Sequence, residues 1–442
     1  MIVMKFGGTS VGNSPNIEQV VKLVTENRRK KIIVLSAFSG ITNLLVEITN
    51  KHQLADQGML EDIDNIEKRC LQIIRPLFAT KTYLEAATKY ISSSVEKLRN
   101  LVDLPSTGSI QKEIISVGEI ISTHVFQFFL QEQGIDSVLI SALDFMFLDR
   151  SGEPDLEVIR KKLQKIIGEQ SSPLIITQGF ICNDYQGSIS NLKRGGSDYT
   201  ASQIGAAIHA KEIQIWTDID GMHNNDPRYV ENTFSVEEIS FDEAAELAYF
   251  GAKILHPQSL IPAKNNNIPV LLKNTFHPEK KGTIIKNTTL NTGVTSIAAK
   301  DGILALKIKS YRMLLAYGFL KKIFEVFETY KTAIDMVTTS EVAVSLTIDN
   351  PTYLTQIIRD LKQFGLVEVD QNLSIVCVAG DFSQNKRGIS AKVFGALKHI
   401  PIRMISYGGS NYNISLLVKT TDKINALNSL NEHLFREQTL FV

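Results

Sequence analysis

The opening IVMKF is an apolar strand that runs straight into two glycines, Gly7 and Gly8, and a helix start at Ser14-Pro15 follows. Few folds accommodate that succession once it recurs, and it recurs through the first half of the chain. NIEQVVKLVTENRRK puts Ile17, Val20, Val21 and Val24 on one helical face, KIIVLSAF is a buried strand, and SGITN opens another helix. Residues 60–102 read as helical, as does SVGEIISTHVFQFFLQEQ, while SVLISA, SSPLIITQGFI and EIQIWTDI read as strands. Strands alternating with helices imply an α/β fold: a mostly parallel sheet sandwiched by helices. Ligands of such sheets bind beyond the carboxyl ends of the strands. The loops to inspect are therefore 7–14, 36–43, 178–198 and 218–228.

The last third is built differently. At an offset of 70 residues Gly318, Lys322, Phe324, Ser340, Ser345 and Leu346 fall on Gly388, Lys392, Phe394, Ser410, Ser415 and Leu416. Ile323, Phe327, Ile334 and Val344 fall on the apolar Val393, Leu397, Met404 and Ile414. This is an internal repeat. Each copy reads as strand, glycine-started helix, two strands, helix and strand, an α+β module. Paired modules behind a complete α/β domain suit a small ligand or a partner chain; the alternative is that they add bulk. The polar stretch NTFHPEKKGTIIKNTTLNTG separates them from the first domain.

Composition closes off several functions. Lys plus Arg equals Asp plus Glu at 47 each, and the basic residues are scattered, so no nucleic-acid surface is expected. Cys70, Cys182 and Cys377 lie far apart without metal spacing and read as buried, reduced thiols. No metal site held by side chains is expected. No apolar run approaches the roughly 18 residues of a membrane helix, and MIVMKFGG lacks an export signal. A cytoplasmic location is expected.

The loops carry the chemistry. In KFGGTS consecutive amides beside a helix start can hold an anion, and Lys5 brings a charge to it; the alternative is a tight strand-to-helix turn. In NLKRGGSDYTAS, Gly195 and Gly196 permit a second such turn. Asp198 near the helix start serves as a cap or as a ligand. Arg194 suits a bidentate carboxylate or phosphate contact. Arg194 with Asp198 fits a zwitterion, which describes an amino acid. Thr217 and Asp218 end a strand, Arg228 closes the Asp-Pro turn behind them, and Lys253 sits in the apolar YFGAKILHP. His256 beside Pro257 reads as structural. Lys5, Arg194, Arg228 and Lys253 together resemble the positive positioning groups of phosphoryl transfer.

At KFGGTS, SAFSGITN, Gly118-Glu119, TQGFI, RGGSDYTA, WTDIDG with DPR, and GAKILHP, the chain resembles the aspartate kinases over nearly all its length. The resemblance implies an amino-acid kinase fold over 1–285 and two ferredoxin-like ACT modules, 297–370 and 371–442. The chain resembles the monofunctional form, for which no fused homoserine dehydrogenase is expected. The resemblance also implies that ATP with Mg²⁺ phosphorylates the β-carboxylate of L-aspartate, the first step towards diaminopimelate, lysine, threonine and methionine. By that likeness Lys5, Gly7, Gly8 and Thr9 hold phosphates, and Thr42, Glu119, Arg194, Ser197 and Asp198 form the aspartate pocket, Asp198 also orienting Lys5. Thr217, Asp218, His223, Arg228 and Lys253 belong to the ATP side, His223 standing where the family often has an aromatic.

An amino-acid effector such as lysine would meet Met313, Asp335, Thr339, Ser340 and Glu341. Leu315, Ala316 and Ala333 replace polar groups of lysine-inhibited members, so weakened, altered or lost lysine control is expected. A homodimer through the ACT modules is expected. The alternatives are a kinase for another amino acid, such as glutamate or acetylglutamate, and a sensor that has lost catalysis.

Overall fold

The computed structural model describes residues 1–193, 195–250, 255–288, 293–310, 317–382 and 387–436. The chain divides into two units. The first is Met1–Met222, Glu237–Phe241 and Leu255–Thr289; the second is His223–Val236, Asp242–Ile254 and Leu290–Val442.

The strands of the first unit are β1 (Ile2–Phe6), β2 (Lys31–Leu35), β3 (Ser137–Leu139), β4 (Leu174–Gln178), β5 (Ile181–Asn183), β6 (Ile189–Asn191), β7 (Ile213–Thr217), β8 (Glu238–Ser240), β9 (Val270–Asn274) and β10 (Thr283–Lys286). Eight of them form one sheet in the order β3-β4-β2-β1-β7-β9-β10-β8. All neighbours run parallel except β9 and β10. β5 and β6 make a separate ribbon. β2 and β4 are buried at every position, as central strands covered on both faces must be.

The helices are α1 (Ser14–Thr25), α2 (Ile41–Gln53), α3 (Gly58–Leu77), α4 (Lys81–Val102), α5 (Gly108–Glu132), α6 (Leu156–Gly168), α7 (Gly196–Ile208), α8 (Phe241–Tyr249, almost all in the second unit) and α9 (Pro257–Asn265). Met4, Phe6, Leu35 and Trp216 pack with α1 to α5 in one large core. On the other face α7 packs on β1, beside α6 and α9. The helical run expected over 60–102 is two helices, because Pro76 ends the first and Phe78 is extended. By length and composition alone α5 could cross a membrane, but most of its apolar stretch is buried in the first unit. Val117, Ile121, Val125 and Phe126 face that core.

The second unit contains β11 (Val294–Lys309), α10 (Phe319–Thr329), β12 (Val337–Thr339), β13 (Ala343–Ile348), α11 (Leu354–Leu361), β14 (Leu366–Gly380), α12 (Ile389–Ala396), β15 (Met404–Tyr407), β16 (Asn413–Lys419) and α13 (Lys423–Phe435). Each repeat runs β-α-β-β-α, and β14 both closes the first and opens the second. Gly318 and Gly388, equivalent in the repeat, both cap their helices in the left-handed conformation, with φ of 78° and 86°. One antiparallel sheet, β12-β13-β11-β14-β16-β15, serves both copies. The early part of β11, 294–300, pairs with 375–380 of β14, so the sheet is continuous across residues 370 and 371. Val230 and Phe250, from segments that precede the repeats in the chain, join the cores of this unit.

Candidate active site

β1, β2, β4 and β7 deliver their loops to one end of the first sheet. Gly7 donates its N–H to Trp216 O at 3.2 Å, which ties the turn after β1 to β7. The next two amides, of Gly8 and Thr9, open a short 3-10 turn and have no acceptor among the described residues. Such amides are an anion site in waiting. A Cβ at Gly8 would lie 2.9 Å from Ala37 O, so residue 8 must be bare for the loops after β1 and β2 to touch. Its φ of −59° is ordinary; close approach, not handedness, demands the glycine.

Lys5 turns to the α7 side. Its Nζ lies 2.7 Å from Asp198 Oδ1, with side-chain exposures of 11% and 13%. The contact is one of charge, since that oxygen has no aligned hydrogen bond. The same ammonium would be 3.7 Å from a Cβ at Gly7, so it stands beside the bare turn.

α7 begins where it does because Gly195 takes the left-handed cap position, with φ of 72°. A side chain there would also collide with His256, 2.7 Å away. Asp198 falls in the first turn, where a carboxylate favours the helix dipole. Ser36 Oγ donates to Ser197 Oγ at 3.0 Å, and Ser122 Oγ donates to Ser36 O at 2.8 Å. A Cβ on Gly179 would lie 2.5 Å from Ser197 Oγ, so the end of β4 is pressed against the same serine.

Glu119 lies on α5, one residue beyond Gly118, whose absent Cβ would be 2.9 Å from Ala37 Cβ. Glu119 is buried and its Oε2 has no partner. Burial pushes its carboxyl up to about 8, against smaller opposing contributions from its own backbone and that of Ala37. Thr42 is half-buried in the first turn of α2, behind Gly40. At the end of β7, Thr217 Oγ1 donates to exposed Asp218 Oδ1 at 3.0 Å. Thr217 O accepts from Thr275 N, and Thr275 Oγ1 meets Ser10 Oγ at 2.7 Å, which links this corner to the first turn.

The first unit thus brings together Lys5, the turn 7–9, Glu119, Ser197, Asp198 and Thr217. A cation and bare amides on one side can hold an anion; carboxyls and hydroxyls on the other can hold an ammonium. Arg194 and Lys253 lie outside the described residues. His223 and Arg228 belong to the second unit. There His223 Nδ1 meets Thr233 Oγ1 at 3.3 Å, and Arg228 clasps Asp226 through Nε at 2.9 Å and a terminal nitrogen at 2.6 Å.

Of the effector candidates, Met313 lies outside the described residues, as do Leu315 and Ala316. Asp335 accepts from Lys300 Nζ at 2.8 Å and from Tyr249 OH at 3.0 Å, and its side chain is 2% exposed. Thr339, Ser340 and Glu341 are exposed, as is Ala333. Reasoning from sequence gave no role to Ser36, Gly179 or the Ala37 backbone. The glycine straight after strand β4 was the available signal, because only a bare residue lets a second backbone approach so closely.

The profile of the amino acid kinase family matches residues 1–274, and that of the ACT domain matches 376–434. Lysine-sensitive aspartokinase 3 of Escherichia coli K12 is 33% identical, over 98% of this chain and 99% of its own. The crystal structure of E. coli aspartokinase III in complex with aspartate and ADP superposes with a TM-score of 0.85 at 33% identity, covering 98% of this chain and 100% of that one. That of Clostridium acetobutylicum aspartate kinase superposes with a TM-score of 0.86 at 27% identity, with 98% and 100% covered.

Proposed function

Because the chain belongs to the amino acid kinase family, among its aspartokinases, we infer that it transfers the γ-phosphoryl group of ATP to the side-chain carboxylate of L-aspartate. The products are ADP and 4-phospho-L-aspartate, which leads towards diaminopimelate and lysine, threonine and methionine. The observation that carries the reading is Lys5 beside the bare turn, backed by Asp198 at the mouth of α7.

The chemistry asks little of a proton donor or acceptor. A carboxylate with a pKa of about 3.9 is already ionised at neutral pH, so no general base is required. The obstacle is the approach of two anions, which fixed cations and amides offset. We assign Lys5 and the amides of Gly8 and Thr9 to the phosphates, with Gly7 holding the turn. We assign Thr42, Glu119, Arg194, Ser197 and Asp198 to aspartate. Asp198 also holds the Lys5 ammonium in place. Thr217, Asp218, His223, Arg228 and Lys253 are assigned to the nucleotide side. The turn suits a phosphate, because no Cβ obstructs it and two amides lack acceptors. Mg²⁺ is assigned to the phosphates of ATP, where it supplies charge neutralisation.

The ACT modules are assigned to regulation and to homodimer formation. Lysine control is weakened in this reading, because Lys300 already supplies an ammonium to Asp335. Thr339 and Ser340 line a cavity of about 940 Å³ whose charged lining is Lys307, Lys362 and Lys309, the last paired with Glu368 at 2.6 Å, so it offers a lysine ammonium no carboxylate of its own. ADP release measured with aspartate, glutamate and acetylglutamate tests the substrate. Aspartate should exceed glutamate by about tenfold or more in kcat/KM, as one methylene is worth about 1–3 kcal/mol. Equal rates would refute the assignment.

A further inference from the structure

The open face of the first repeat's sheet carries charge that the fold does not use. Leu306, Ile308, Val344 and Leu346 turn to the core beneath α10 and α11. Strand alternation sends their neighbours Lys307, Lys309 and Ser345 to the other face. In register, Thr338 lies opposite Ser345, Ser345 opposite Lys307, and Lys307 opposite Glu368, so the four share one cross-strand row. Ala343 and Lys309 stand opposite each other two residues further along.

The cavity of about 940 Å³ is lined by these rows and by residues 362–366, which follow α11. A Cβ at Gly365 would collide with Lys309 O, so a bare residue lets that wall close on β11. Among the described residues no acidic side chain lines the cavity. Lys309 is paired with Glu368, whereas the ammonium groups of Lys307 and Lys362 have no ion-pair or hydrogen-bond partner among the described residues. The hydroxyls of Thr338 and Ser345 beside them are equally unspent there. Leu366 and Val342 complete the lining with exposures of 63% and 40%, apolar surface that a ligand's body would take out of water. The volume is that of a small-molecule site, and like charges lining a concavity reinforce each other's field.

We propose that this cavity binds a small organic dianion, a phosphate monoester or a dicarboxylate with an apolar body. Lys307 and Lys362 offset its two charges, the hydroxyls of Thr338 and Ser345 donate to its oxygens, and Leu366 and Val342 cover its apolar part. A free amino acid is disfavoured, because no acidic side chain lines the cavity to take its ammonium. Thr339 and Ser340, expected from sequence to meet an amino-acid effector, line the same cavity, so the ligand that reaches them is an anion. The inference uses the second unit alone and stands apart from the reading of the first as a kinase.

Calorimetric titration of the full chain with phenyl phosphate and, separately, with phthalate tests it. At least one should bind with a Kd below about 1 mM. Lys307→Met together with Lys362→Met keeps the apolar stems and removes the charges, and should raise that Kd about tenfold or more. Lys321→Met, which removes an exposed lysine of α10 outside the cavity, should leave it within about twofold. Inorganic phosphate, which has no apolar body, should bind about threefold more weakly or worse. The tighter of the two probes tells whether the site takes a phosphate monoester or a dicarboxylate.

Failure of both probes to bind overturns the inference. So does equal affinity in the parent and the double variant, which would place the anion at the phosphate turn of the first unit. An equal loss on Lys321→Met also overturns it, since the anion would then be following net charge. Should the methionine pair not fold, Ser345→Val, which removes one hydroxyl from the cavity and keeps both ammonium groups, is expected to raise Kd about threefold or more. An unchanged Kd in that variant would equally count against the site.

Discussion

Glu119 is a buried carboxyl with one oxygen unpartnered and its titration pushed up to about 8. In the free protein at neutral pH it is therefore mostly protonated. Because its folded value exceeds the ordinary one, its contribution to stability is full below about pH 4.3 and is lost as pH rises through about 8. Glu119→Gln, neutral at all pH, should remove that decline. Thermal midpoints of the two proteins compared at pH 6 and 8.5 check this, and parallel behaviour would mean the native carboxyl is already ionised. An ammonium placed against Glu119 favours its charged form, so aspartate binding near pH 7 should release a proton. Calorimetry in buffers of different ionisation enthalpy reads that proton directly, and a buffer-independent heat would remove Glu119 from the ammonium site. At Lys5 the expectation concerns rate. Lys5→Ala should lower kcat by about 10²–10³-fold, as for removal of one preorganised donor of transition-state charge. Asp198→Asn should act on the same group, so the double variant should fall well short of the product of the two losses.

Between elements, the contacts that shape the site are approaches of one backbone to another. Gly179 ends β4 against Ser197 of α7, and Gly8 leaves β1 against Ala37 beyond β2. Gly179→Ala would put a methyl 2.5 Å from Ser197 Oγ and 2.9 Å from its Cα, so a side-chain rotation alone cannot relieve it. A loss of about 1–3 kcal/mol is expected, with KM for aspartate raised as Ser197 moves. Denaturant midpoints and aspartate saturation curves check both; an unaltered KM would mean that Ser197 is not part of the pocket. The glycine-rich loops were legible in the sequence because glycine and proline punctuate them. Which amides they leave free was not. Gly7 and Gly8 look alike in KFGGTS, yet one amide is spent on Trp216 and the other is not, a difference made by the parallel pairing of β1 with β7. Likewise, the periodicity over 60–102 could mark helix but not the break after Pro76.

At the scale of the molecule the chain passes between its two units five times. The segments 223–236 and 242–254 precede the repeats yet build the unit that contains them. Glu243 accepts from Thr295 Oγ1 at 2.5 Å, and Tyr249 reaches Asp335. The homodimer and the effector control proposed above would both be properties of that unit. Sedimentation should give twice the 49.2 kDa of one chain; a strict monomer at micromolar concentration would count against dimer formation. Lysine should inhibit with a midpoint above about 1 mM, less than about 4.1 kcal/mol of binding. Inhibition curves decide, and a micromolar midpoint would mean that Lys300 does not hold Asp335 in solution.

The sequence by itself determined what is local and periodic. The strand and helix alternation, the bare turns at Gly7-Gly8 and Gly195-Gly196, and the 70-residue repeat with its paired Gly318 and Gly388 caps are all short-range patterns of side-chain size and polarity. Only the tertiary structure decided what depends on residues far apart in the chain: Lys5 against Asp198, Ser36 against Ser197, and one shared sheet in place of two. Those pairings come from strand register and helix docking, which no local stretch encodes.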